Sequence, residues 1–100
     1  MKKITVQGEN PSRFSRKVER ALKLGPLGKL TRFSFENDQF VITFSQLGNS
    51  HLYYRVRPSE DGFHAELERE EVSLLHKAFR REVEEELKRI ITRYGGIIEA

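Results

Sequence analysis

Arg13, Arg16, Lys17, Arg20 and Lys23 place five cations within eleven consecutive positions. Guanidinium and ammonium groups at this density suit one task above others, gaining free energy by displacing counterions from a phosphate backbone. On a helix, at 100° per residue, the five fall within an arc of about 120°. Spacing as well as residue type therefore fits a single anionic surface. A helix face that serves only solubility normally mixes acids among its bases and lays its arginine stems over apolar neighbours. Here Glu9 and Glu19 are the only acids in the first 35 residues. The expectation is a nucleic-acid contact, with structured RNA as the partner, in which the five cations position phosphates and confer no choice of sequence.

Arg32, Tyr53, Arg55 and Arg57 form a second candidate surface. Period-2 alternation assigns them to the polar side of a sheet, where arginines and an exposed tyrosine can seat an RNA strand by stacking and phosphate contacts. The expected register sets Arg32, Thr43, Arg55 and His64 in one row. Ser34, Val41 and Arg57 lie in the next, with Ser45, Tyr53 and Glu66 on the other side. Only one aromatic residue points that way. The two surfaces face opposite directions, so one ligand would use one of them.

Residues for catalysis are sparse. His51, His64 and His76 share no short metal-ligand spacing and no HExxH is present. None sits in a Ser/His/Asp arrangement. His76 falls on the apolar stripe of a helix and is read as a core histidine with a hydrogen bond. There is no cysteine, which excludes disulfides and thiolate metal sites. The glycines lack phosphate-loop spacing. The expectation is a non-enzymatic domain with no catalytic residue, no metal and no cofactor. No apolar run approaches the roughly 18 residues that span a bilayer, and "MKKITVQGEN" has no apolar core behind its lysines. A cytoplasmic protein without a membrane partner is expected.

The elements that carry these residues are well marked. "KKITVQ" alternates Ile4 and Val6 with polar neighbours and predicts a short strand. Asn10 is a good N-cap, Pro11 suits the first helical position, and "LGP" (24–26) stops the helix. Phe14, Val18, Ala21 and Leu22 form its apolar stripe, opposite the cations. Residues 31–68 read as a meander of four strands. Its turns are predicted at Asn37-Asp38, Gly48-Asn49-Ser50 and "PSED" (58–61), pairing Glu36 with Gln39, Leu47 with His51 and Arg57 with Gly62. Each pairing gathers the large apolar residues on one face. A second helix is predicted over 70–94, with Gly95-Gly96 as its C-terminal cap and "IIEA" as a frayed tail or short apolar contact. Ile90, Ile91, Tyr94, Ile97 and Ile98 give this end an apolar character that suits a homodimer contact.

One hundred residues make one domain. The net charge of +3 is unevenly distributed. Residues 1–35 hold nine bases against two acids, and the remainder nine against thirteen. The predicted fold is α+β, in the order β-α-β-β-β-β-α, with two helices on one face of a mostly antiparallel meander sheet. That element order is similar to the layout of ribosome-associated hibernation factors and of a small family associated with polyhydroxyalkanoate granules. The likeness is one of architecture and carries no residue role across.

Overall fold

Asn10 and Pro11 start the first helix where the sequence places it. The Asn10 side chain accepts a hydrogen bond from the Arg13 backbone N–H at 2.8 Å. A computed structural model describes residues 1–100. The chain runs β1 (Lys3–Gln7), α1 (Pro11–Leu24), β2 (Thr31–Glu36), β3 (Gln39–Ser45), β4 (Asn49–Ser59) and β5 (Gly62–Glu71). A single 3-10 turn (Leu74–His76), α2 (Lys77–Arg93) and β6 (Ile97–Glu99) complete it. The strands form one antiparallel sheet in the order β2-β3-β4-β5-β1-β6. The expected α+β fold is thus present, with one strand more than expected.

Topology explains why both helices lie on the same face. Counting along the antiparallel ladder, β1 runs parallel to β2 and β5 runs parallel to β6. α1 makes the first crossover and α2 the second. A half-turn about the sheet normal maps one crossover onto the other, so a single handedness puts both helices on one side. There the sheet contributes Phe33, Phe40, Ile42, Leu52 and Phe63. α1 adds Phe14, Val18 and Leu22, and α2 adds Val83, Leu87, Ile90 and Ile91. All belong to one cluster of 18 buried apolar residues. Phe40 sits near its centre, with ring centroids 4.9 Å from Phe33 and 5.5 Å from Phe63. Each such aromatic pair adds about 0.5–1.5 kcal/mol beyond area burial.

The three turns did not all fall where predicted. The first did: Asn37 and Asp38 both have positive φ, as a two-residue hairpin loop of this kind requires, and Glu36 pairs with Gln39. The second loop is Gln46-Leu47-Gly48, closed by Ser45 opposite Asn49. Phe44 therefore faces Ser50, and Ile42 faces Leu52. The third turn is Glu60-Asp61, with Ser59 opposite Gly62. Ser50 accounts for the second shift. It is fully buried, its hydroxyl meets His76 Nδ1 at 2.5 Å, and it accepts the Ser73 N–H at 2.9 Å. Those bonds hold Ser50 inside the ladder rather than in the loop.

Helix 2 also begins later than predicted. Tyr54 pairs with Leu67 and Tyr53 with Arg69, leaving Glu68 as a bulge residue. β5 continues past it to Glu71, opposite His51. Ser73 then caps the 3-10 turn by accepting from the Leu75 N–H. At 17 residues, α2 is about 25 Å long. Gly95, with φ of 90°, turns the chain so that Ile98 lies opposite Ile4 on β1. "IIEA" is therefore neither frayed nor merely in contact; it is the sixth strand. No helix is long and apolar enough to cross a membrane.

Candidate nucleic-acid interface

Phe14, Val18 and Leu22 anchor α1 to the core with no exposed surface. That fixes its opposite side outward, and all five predicted cations lie there. They do not form one chemical set, however. Lys17 Nζ lies 2.6 Å from Glu9 Oε2, and Arg13 Nε lies 3.9 Å from Glu9 Oε1. The hydrogen bond from Lys17 holds the Glu9 carboxyl below its ordinary value, with a smaller contribution from Arg13. Glu9 thus offsets one of the two positive charges at the start of the stripe, chiefly that of Lys17. Arg16, Arg20 and Lys23 are exposed. Arg16 Nη1 donates to the Ser12 hydroxyl at 3.0 Å. No carboxylate oxygen lies within 4.0 Å of any of the three, whereas nine other ion pairs form in the molecule.

The fold extends this set beyond α1. The C-terminal ends of α1 and α2 meet at a depression of about 230 Å³ lined by Arg20, Ala21, Leu24, Arg93 and Tyr94, with Arg89 at its side. Arg89 is occupied, donating through Nε and Nη2 to Glu86 Oε1 at 2.9 and 2.5 Å. Arg93 has no acidic partner within 4.0 Å. On the other flank of α1, facing β2, a depression of about 500 Å³ is lined by Ser12, Arg16, Arg20, Lys23, Ser34 and Phe35. Arg20 borders both. The result is a ridge of four unpaired cations with an aromatic ring on either side. Sequence reasoning assigned Tyr94 to a dimer contact and passed over Arg93. Their position in the last turn before Gly95, where a returning helix ends beside the end of the first, was the available signal.

Glu19 is the one acid on α1. Its Oε2 accepts the Phe33 N–H at 2.5 Å, on the outer edge of β2, and its Oε1 lies 3.9 Å from Arg32 Nε. It serves the sheet edge and pairs with none of the ridge cations, although it lines the same depression as Arg16, Arg20 and Lys23.

The second candidate surface is arranged differently from the predicted rows. Arg32 neighbours Thr43 and then His51; Arg55 lies between Gln39 and Glu66; Arg57 faces His64. His51 and His64 are on adjacent strands but six positions apart along β4. Most of this face satisfies itself. Arg55 Nη2 lies 3.2 Å from Glu68 Oε2, and the Gln39 amide together with Arg55 lowers the Glu68 pKa. The Tyr53 hydroxyl donates to Glu71 at 2.9 Å, and the Arg69 guanidinium sits 4.2 Å over the Tyr53 ring. The bulge at Glu68 brings Glu68 and Arg69 to these partners. Arg57 alone of the four predicted residues is exposed and has no acidic neighbour within 4.0 Å.

His76 is buried against β4 and the loop before it, with Nδ1 at Ser50 Oγ and Nε2 at 2.5 Å from the Gln46 carbonyl. Because a carbonyl only accepts, Nε2 carries the proton and Nδ1 accepts from Ser50. Glu86 is buried on α2 ahead of Leu87, Ile90 and Ile91, which are buried too. Its carboxylate lies against Gly25, where a Cβ would approach Glu86 Oε2 to 2.6 Å. The largest concavity, about 890 Å³, is a trough along α2 lined by acids and bases such as Arg81, Glu82, Glu85 and Lys88. Glu86, whose Oε2 has no hydrogen-bond partner, also lines it. No protein-family profile, curated protein or solved structure matches the chain.

Proposed function

We propose that this chain is a non-enzymatic nucleic-acid-binding domain that contacts structured RNA through the outer face of α1. The observation that carries the reading is the ridge of Arg16, Arg20 and Lys23, continued by Arg93, without a carboxylate within 4.0 Å. Other cations of the chain are also unpaired, Lys29, Arg57 and Lys77 among them; what sets this stretch apart is that three such cations share one face of one helix and a fourth borders the same depression. A backbone that supplies phosphates at the ridge displaces condensed counterions and gains affinity without any base being read. Of the five cations expected from sequence, Arg13 and Lys17 contribute least, because Glu9 already holds them. The reading puts the chain in the cytoplasm, alongside RNA.

The test is fluorescence anisotropy of a labelled hairpin RNA at low and near-physiological salt. Wild type is compared with the Arg16→Glu/Arg20→Glu/Lys23→Glu variant, and Arg57→Glu serves as the control on the opposite face. Saturable binding that weakens with salt, disappears in the triple variant and persists in the control is the expected outcome. Equal binding by the triple variant would sink the reading.

The alternative, a protein-interaction domain that homodimerises through the C-terminal helix, has less to support it. Ile90 and Ile91 are buried within the chain's own core, and Ile98 packs against it. Leu24 and Ile97 are the exposed large aliphatic side chains left at that end. A salt-insensitive mass that doubles with concentration would favour it.

A further inference from the structure

We propose that the ridge takes an unpaired stretch of nucleic acid, one base of which stacks on Tyr94 beside Arg20 and Arg93. This rests on the reading above and goes beyond it by naming which part of the nucleic acid is held. Four cations alone would gather any polyanion, duplex or otherwise. A duplex keeps its bases inside, so an aromatic ring beside the phosphates finds only sugar and phosphate to touch. An unpaired strand exposes a flat face on every base. Charge tracking the backbone together with rings receiving the bases is the combination that holds single strands without regard to sequence.

The ridge has both parts. Tyr94 is 38% exposed at the end of α2 and lines the depression that Arg20 and Arg93 share. Phe35, half-buried, lines the depression on the other flank with Arg16, Arg20 and Lys23. Arg20 belongs to both depressions, so a backbone crossing α1 at Arg20 delivers nucleotides to a ring on either side. The Ser12 hydroxyl in the Phe35 depression can hydrogen-bond a base edge or a ribose. Glu19 lies in that same depression and repels a phosphate there. Phosphates are thereby kept to the cationic rim and the base is turned toward the ring. The opposite face of the sheet offers no equivalent, since Arg69 already covers the Tyr53 ring.

The experiment uses a Tyr94→Trp variant. The chain has no tryptophan of its own, so the emission reports this one position. The probes are an unstructured oligouridylate of about 12 nucleotides, an RNA duplex of equal length, and inorganic polyphosphate. The oligouridylate should quench the tryptophan, and polyphosphate should bind without quenching. Tyr94→Leu, at an exposed helix end, should weaken oligouridylate binding by about tenfold and leave polyphosphate binding unchanged. Phe35→Leu, checked for folding by circular dichroism, should weaken it in the same direction. Equal oligouridylate binding by wild type and Tyr94→Leu, or tighter binding of the duplex, would overturn the inference. If the Arg16→Glu/Arg20→Glu/Lys23→Glu variant still loses binding, the reading of the ridge stands without it. No binding of any probe by the wild-type chain overturns both.

Discussion

Lys17 belongs to the basic stripe by position and to Glu9 by chemistry. Helical spacing sorts side chains by direction and says nothing about what precedes the cap. Glu9 stands just before Asn10, where the chain has not yet become helical, and from there it reaches Lys17 eight positions on. This pairing has a pH signature of definite sign. The folded-state pKa of Glu9 is lowered from its ordinary value of 4.5, chiefly by Lys17. The unfolded chain therefore binds the proton more tightly, and stability falls as pH falls. The contribution is fully present above pH 4.5 and is lost as pH drops through the lowered folded value. Melting temperatures of wild type and Glu9→Gln, measured from pH 7 down to pH 3, should show wild type ahead above about pH 5, with the gap closing toward acid. A gap independent of pH would mean that Glu9 acts by packing. His76 illustrates the same limit of sequence reading from the other side. Its place on an apolar stripe suggested a core histidine with a hydrogen bond, but neither partner, Ser50 nor Gln46, is near it in sequence.

At the scale of elements, the apolar pattern determined faces and left the register along each ladder open. A strand has period 2, so sliding a partner by two or four residues returns every side chain to its own face. Two ladders slid, β3 on β4 by four positions and β4 on β5 by two as far as the bulge and three beyond it, where the extra residue restores the faces, and the large apolar side chains stayed on one face. The first hairpin was legible because Asn-Asp is a specific turn signal. The second was not, because Leu47 adopts a φ of 55° that its side chain does not advertise. β6 was missed because three residues are too few for a period to show. The start of α2 was misplaced because Val72 and Leu75 fit a helical stripe, whereas β5 continues to Glu71 beyond its bulge. The edge of β2 shows an element completed by a side chain. Glu19 caps the Phe33 N–H, which blocks that donor from pairing with another strand. Glu19→Ala should cost about 1–3 kcal/mol in urea denaturation, the range for a hydrogen-bonded group that loses a charged acceptor. Glu19→Gln, whose amide oxygen can still accept, should recover part of the loss. Equal losses in the two variants would assign the effect to charge or packing and not to this bond.

For the whole molecule, what matters is which face leaves its charges uncompensated. The sequence divides into a basic first third and an acidic remainder, and folding does not simply carry that division into space. The acids of β5 and α2 meet bases locally, as in Arg55 with Glu68, Arg80 with Glu84 and Arg89 with Glu86. The outer side of α1 has too few acids for that, and Glu9 and Glu19 are occupied by Lys17 and the β2 edge. Net charge is therefore a poor guide to binding here, and the count of unpaired cations on one surface is a better one. That count is four: Arg16, Arg20, Lys23 and Arg93. If each meets one phosphate, log K should fall against log salt with a slope of about −3 for a single strand and about −3.6 for a duplex. Lys23→Ala should lower affinity for all RNA sequences alike and reduce the single-strand slope by about 0.7. Arg55→Ala, on the self-paired face, should leave the slope unchanged. These slopes come from titrations at several salt concentrations with wild type and both variants. A slope insensitive to Lys23 but reduced by Arg55→Ala would move the binding surface to the open side of the sheet. A slope near zero would mean that the ridge cations stay solvated and that any association is held by apolar contact.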